Sequence, residues 1–118
     1  MIVGDYEQMI ALWNNTPGIG LSDADSKRNI SQFLERNPGL SFVYEIDKRI
    51  IGTVLCGHDG RRGYIYHLAV DLAFRKQGIG KELMARSLDK LRHKRIAKCH
   101  LFLYSENEDA IQFYGRTG

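Results

Sequence analysis

The sequence is poor in cysteine, in proline and in long apolar runs, and each shortage excludes something. Its 118 residues include only two cysteines, Cys56 and Cys99, far apart in the chain. Neither belongs to a Cys-x-x-Cys pair or to a His/Cys spacing that suits a metal. A disulfide framework and a zinc site are therefore not expected, and both thiols read as reduced core residues. The two prolines, Pro17 and Pro38, stand at breaks between elements. No apolar run approaches the ~18 residues of a membrane span, and the N-terminus has no signal-peptide core. The expected compartment is the cytoplasm, with no membrane partner. Repeats, linkers and low-complexity segments are absent. What remains is 43% hydrophobic and 26% charged, a balance that argues against disorder and for one small domain over residues 1–118. The net charge of +3 is too small for a nucleic-acid arm but suits an anionic ligand.

Apolar periodicity divides the chain into alternating elements. Tyr6 to Asn14 reads as a helix with Met9, Ile10, Leu12 and Trp13 on its apolar side, and Thr16-Pro17-Gly18 breaks it. Ser22-Asp23-Ala24-Asp25 resembles a capping box opening a second helix, which Asn37-Pro38-Gly39 ends. Ser41 to Ile46 and Arg49 to Gly57 flank Asp47-Lys48 as a hairpin, and Tyr64 to Val70 reads as a further strand. A third helix is expected from about Gly78 to Lys94, with Ile79, Leu83, Met84, Ser87, Leu88 and Leu91 along one stripe. Lys98 to Tyr104 is apolar on both faces, as a central strand would be, and a last helix begins near Asn107. The order predicts an α/β fold with a mixed sheet.

Arg75-Lys76-Gln77-Gly78-Ile79-Gly80-Lys81 carries the most chemistry. A glycine-rich turn at a helix start leaves backbone N–H groups without intrahelical partners, and the helix dipole adds partial positive charge. Gly78 and Gly80 lack side chains that would hold an anion away, while Arg75, Lys76 and Lys81 bring full charges. The turn is not a P-loop, because Arg75 stands where the first glycine is needed and Glu82 follows the lysine. Nor is it the dinucleotide fingerprint, since Leu83 replaces the third glycine.

Leu68-Ala69-Val70, then Phe74, then Arg75-x-x-Gly78-x-Gly80, then Leu83-Met84 resembles the central motif of the GNAT (Gcn5-related N-acetyltransferase) family. Asn107-x-x-Ala110-Ile111-x-Phe113-Tyr114 is similar to its second motif, and the resemblance runs from about Ile2 to Gly118. It implies a splayed mixed sheet, flanked by helices, that admits acetyl-coenzyme A between the strand ending at Val70 and the strand from Lys98. Against the family pattern, the chain is expected to lack the N-terminal edge strand and the C-terminal hairpin, a fragment at both ends. An exposed edge at Leu101-Phe102-Leu103 would then favour either a homodimer completed along it or poor solubility.

By the same resemblance, the backbone of Leu68, Ala69 and Val70 holds the pantetheine arm. The amides of Gln77, Gly78, Ile79, Gly80 and Lys81, with Arg75 and Lys76, take the diphosphate. Asn107 holds the cofactor arm, and Tyr114 protonates the departing thiolate. Tyr64 and Tyr66 stand where relatives often carry a Glu or His base. A tyrosine is a poor base, so these two are expected only to order water. Strand alternation places Tyr64, Tyr66, Leu68 and Val70 on one face, with Ile65, His67 and Ala69 on the other. His67 then has the wrong parity for catalysis and reads as a packed core histidine. The basic cluster Arg92-His93-Lys94-Arg95 with Lys98 reads as a solvated helix end, with two sharper readings beside it: contact with the 3′-phosphate of coenzyme A, or with nucleic acid, which the lack of interleaved aromatics weakens. No metal is expected. The implied activity is acetyl transfer to a primary amine, small molecule or peptide, in a ternary complex, since no Cys or Ser stands in a nucleophile context. The alternative is a non-catalytic acyl-coenzyme-A-binding module.

Overall fold

The computed structural model describes residues 1–101. After a short 3-10 turn, helix α1 covers Tyr6–Asn14. A second 3-10 turn, Asp23–Asp25, precedes helix α2 at Lys27–Arg36. Strands β1 (Phe42–Ile46), β2 (Arg49–His58) and β3 (Arg62–Val70) follow, then a 3-10 turn at Leu72–Phe74. Helix α3 spans Ile79–His93, and β4 spans Lys98–Leu101.

The four strands lie in the order β1-β2-β3-β4. The first three are joined antiparallel, and β4 runs parallel to β3, from Arg62 opposite Lys98 to Ile65 opposite Leu101. The fold is mixed α/β, as the element order predicts. The β1–β2 hairpin turns at Asp47 and Lys48, whose φ values of +50° and +66° match the two positive dihedrals of a type I′ turn.

Each face of the sheet has its own core. On one, Ile79, Leu83, Met84, Leu88 and Leu91 of α3 pack on Ile51, Val54 and Ile65. Burying each such side chain contributes about 1.5–3 kcal/mol. On the other, Met9, Leu12 and Trp13 of α1 and Ile30 of α2 pack on Ile50, Leu55 and Ala69. β2 serves both faces, so it is buried from Ile50 to Gly57.

Three local expectations are corrected. Ser22 caps the 3-10 turn and not α2: its hydroxyl accepts from the Ala24 N–H while Asp25 returns a bond to the Ser22 N–H. Ser26 then adopts an extended backbone and caps α2 through the Asn29 N–H. Over Lys98–Leu101, β4 alternates exposed and half-buried residues at the end of the sheet among the described residues, because Lys98 and His100 are polar. The expectation of two apolar faces is therefore not met over these four residues, and the rest of the expected strand lies outside the described residues.

The third correction concerns β3. Its register against β2 shifts between Thr53, opposite Ala69, and Leu55, opposite Tyr66. One extra β3 residue is accommodated as a bulge, and His67 takes a left-handed φ of +46°. Strict alternation fails at that point. Ile65, Leu68 and Val70 share the α3 face, while Tyr66 and Ala69 pack on the α1/α2 side. The His67 ring meets Trp13 of α1, at a centroid distance of 4.7 Å. Leu68 and Val70 thus part from Tyr64 and Tyr66, and His67 joins the two tyrosines.

Candidate active site

The Arg75–Lys81 turn is reached directly from β3. The Asp71 N–H donates to Ile51 O at 2.8 Å and its carboxylate pairs with Arg49 at 2.8 Å, which anchors the end of the strand. Asp71 also caps the 3-10 turn at Leu72–Phe74 through the Ala73 N–H. The chain then passes Lys76 and Gly78, both left-handed at φ +64° and +83°, and enters α3. Backbone in such a turn directs N–H groups into one concavity.

Gly78 is the N-cap of α3 and contributes no side-chain cap. The first helical bond is Glu82 N–H to Gly78 O, at 3.0 Å, so the amides of Ile79 and Gly80 have no acceptor within the helix. A Cβ built on Gly78 would meet nothing within 4 Å, so the turn is open at that point. A Cβ built on Gly80 would lie 3.6 Å from Val70 Cγ2 and 3.9 Å from Leu68 Cδ2. The structure therefore brings Gly80 against Leu68 and Val70, two of the three residues expected to hold an extended arm. The Ile79 side chain points into the core. Arg75 Nε donates to Val70 O at 3.4 Å, and Arg75, Lys76 and Gln77 are exposed.

On the α1/α2 side of β3 lies a cavity of about 540 Å³ between the Asp23–Asp25 turn, α2 and the bulge. Phe33, Leu55 and Tyr66 form its apolar walls, and Asp25, Arg36 and His67 supply charge or protons. Tyr66 meets Phe33 edge-on at 6.2 Å and stacks beside Tyr64 at 6.4 Å. The Tyr64 hydroxyl donates to Asp59 at 3.1 Å, and this bond raises the pKa of the phenol. Burial raises that of Tyr66. Both phenols are therefore protonated at neutral pH and cannot accept a proton from an amine.

His67 is the residue that alternation missed. Its Nε2 lies 2.6 Å from Asp25 Oδ1, with both side chains largely buried. Histidine is among the residues more tolerant of left-handed backbone, but nothing in a strand pattern reports that a bulge will form. Tyr114 and Asn107 lie outside the described residues. Among the described residues there is no cluster of metal-ligating side chains, and no helix is long and apolar enough to cross a membrane.

Residues 6–118 match the model of the acetyltransferase (GNAT) family. The chain belongs to the GNAT family. An acetyltransferase from Pectobacterium atrosepticum is 34% identical over 110 residues, which cover 93% of this GNAT chain and 77% of the relative. One from Photorhabdus laumondii is 33% identical, covering 91% and 74%. Among solved structures, the PaiA N-acetyltransferase of Thermoplasma acidophilum, in complex with coenzyme A, superposes with a TM-score of 0.81 at 19% identity, over 100% of this chain and 85% of that one. The NatC complex bound to a Gag peptide and coenzyme A gives 0.75 at 26% identity, over 97% and 76%. The fold of this GNAT domain is thus the mixed sheet with flanking helices that the motif order implies.

Proposed function

We propose that this GNAT domain moves the acetyl group of acetyl-coenzyme A to a primary amine by direct attack, with both substrates bound together. The observation that carries the reading is the adjacency of Gly80 to Leu68 and Val70, which joins an anion cradle to a strand end. A nucleotide diphosphate suits this turn, because the Ile79 and Gly80 amides have no acceptor within the helix and a Cβ on Gly78 would meet nothing within 4 Å. When bound, acetyl-coenzyme A supplies a thioester, the electrophile of the reaction.

The chain's own residues supply position and protons. Amides from Gln77 to Lys81 hold the diphosphate, with Arg75 and Lys76 adding charge. Backbone groups of Leu68, Ala69 and Val70 hold the pantetheine arm as an added strand would. Asn107 steadies that arm, and Tyr114 donates its proton to the departing sulfur. The cavity beside Tyr66 receives the amine, a small molecule or a peptide, with Tyr64 and Tyr66 ordering water. The solved relatives bound to coenzyme A, one of them also to a peptide, support this arrangement. The cytoplasm is the compartment this reading assigns, and a second copy pairs along the Leu101 edge, which a monomer by light scattering at high concentration would refute.

Calorimetry with acetyl-coenzyme A, followed by thiol release across an amine panel, tests the reading. Binding with amine-dependent thiol release is expected. Absence of binding at millimolar concentration would overturn it, and binding without release for any amine would leave only an acyl-coenzyme-A-binding module.

A further inference from the structure

The bulge in β3 turns a histidine toward the acceptor cavity and gives it a carboxylate partner. We propose that His67, oriented by Asp25, is the group that takes the proton from the acceptor ammonium. The inference rests on the functional reading above and identifies the base within it.

Both halves of the pair are held. The His67 carbonyl accepts the Thr53 hydroxyl at 3.0 Å, and Thr53 Oγ1 in turn accepts the Trp13 indole N–H at 2.8 Å. This buried chain fixes the backbone of the bulge to α1. Asp25 is fixed as firmly: its Oδ2 accepts the Ser22 N–H at 3.0 Å, and its carbonyl accepts the Tyr6 hydroxyl at 2.6 Å. Trp13 packs against the imidazole at 61° between the ring planes, which limits its rotation.

The pairing also selects a tautomer. A carboxylate at 2.6 Å from Nε2 requires a hydrogen there, so neutral His67 carries its lone pair on Nδ1. Protonating Nδ1 makes an imidazolium that Asp25 stabilises directly. The other titratable or charged side chains of the cavity, among the described residues, are Tyr66 and Arg36. Arg36 is a permanent cation and the Tyr66 phenol is held protonated, so neither competes for the amine proton.

The step balances simply. The ammonium loses one proton to His67 Nδ1, and the amine lone pair forms the C–N bond at the thioester carbon. Return of the carbonyl electron pair breaks the C–S bond, the sulfur takes the proton of the proposed acid Tyr114, the second nitrogen-bound proton restores that phenol, and His67 releases its proton to solvent. His67 immediately precedes Leu68, so the proposed base and the proposed arm site are carried by adjacent residues of β3.

The test combines H67Q and D25N with two amines, one of ordinary basicity and one of low pKa that is already neutral at pH 7. With the basic amine, H67Q should lower kcat/KM by about 100-fold or more. The acid limb of its pH profile should shift toward the pKa of the amine, with acetyl-coenzyme A affinity unchanged by calorimetry. With the low-pKa amine the loss should be less than about tenfold, because no proton must be removed before attack. D25N, which keeps the imidazole in place, should lower the basic-amine rate and move the same limb. Wild-type turnover with unchanged H67Q and D25N profiles overturns the base alone. Equal losses with both amines also overturn it, since that outcome marks a structural role. Wild-type protein that binds acetyl-coenzyme A but acetylates no amine overturns the functional reading as well.

Discussion

Leu91 occupies the space that a side chain at Gly63 would need. A Cβ built on Gly63 would lie 2.6 Å from Leu91 Cδ1 and 3.2 Å from Cδ2. Gly63 faces β2 through His58 and β4 through Cys99, so this contact sets how closely α3 lies on the sheet where the parallel strand joins. Leu91 is 1% exposed and has no solvent into which to retreat. Gly63→Ala should therefore destabilise the fold by about 1–3 kcal/mol through overpacking. Urea denaturation measures it, and a midpoint equal to that of the wild type would refute the contact.

Thr53 links α1 to the bulge in β3. It is 0% exposed, and its hydroxyl both accepts from Trp13 and donates to the His67 carbonyl. Thr53→Val keeps the shape but leaves a buried indole N–H and a bulge carbonyl without this partner. A loss of about 1–3 kcal/mol per abandoned group is expected. Turnover of the basic amine should fall further than stability alone explains, because the bulge would no longer be held. Unaltered stability with unaltered turnover would contradict the clamp.

Gly78 tests the cradle. At φ +83° an alanine is strained by about 1–2 kcal/mol, which thermal denaturation reads directly. Its methyl would also enter the open space beside the helix amides. Loss of one charge-assisted backbone bond corresponds to about tenfold weaker acetyl-coenzyme A binding. Calorimetry on Gly78→Ala that returned the wild-type affinity would place the diphosphate elsewhere.

Asp59 organises the turn between β2 and β3. The N–H groups of Arg62 and Arg61 donate to its carboxylate at 2.8 and 2.9 Å, with the Tyr64 phenol adding a third bond, and together they depress its pKa to about 2. A carboxylate whose folded pKa lies below its unfolded value of about 3.9 stabilises the fold above that value. The contribution disappears as pH falls from about 4 toward 2. The group is fully exposed, so the effect is small, and it is best followed by NMR titration of the carboxyl carbon. A midpoint near pH 4 would show that the turn does not hold the anion.

Much of the fold was legible because the relevant physics is local. α1 begins and ends where Tyr6 and Asn14 bound the apolar pattern, and the buried stripe of α3 follows its sequence period. Asp47-Lys48 marks the hairpin turn, and Gly78 marks the turn into α3. Two nearby serines hid the start of α2, since either could cap a helix and only the 3-10 geometry of Asp23–Asp25 chose between them.

The chain of residues alone determined the order of the described elements, the glycine turn before α3 and the family motif, because helix period and turn chemistry depend on neighbours a few positions apart. Only the tertiary structure decided that His67 faces Asp25. That outcome depends on a one-residue register shift against β2 and on a carboxylate 42 positions away, brought together by the packing of α1 on the sheet. A strand's alternation is a local rule, and a bulge breaks it through contacts made with another strand.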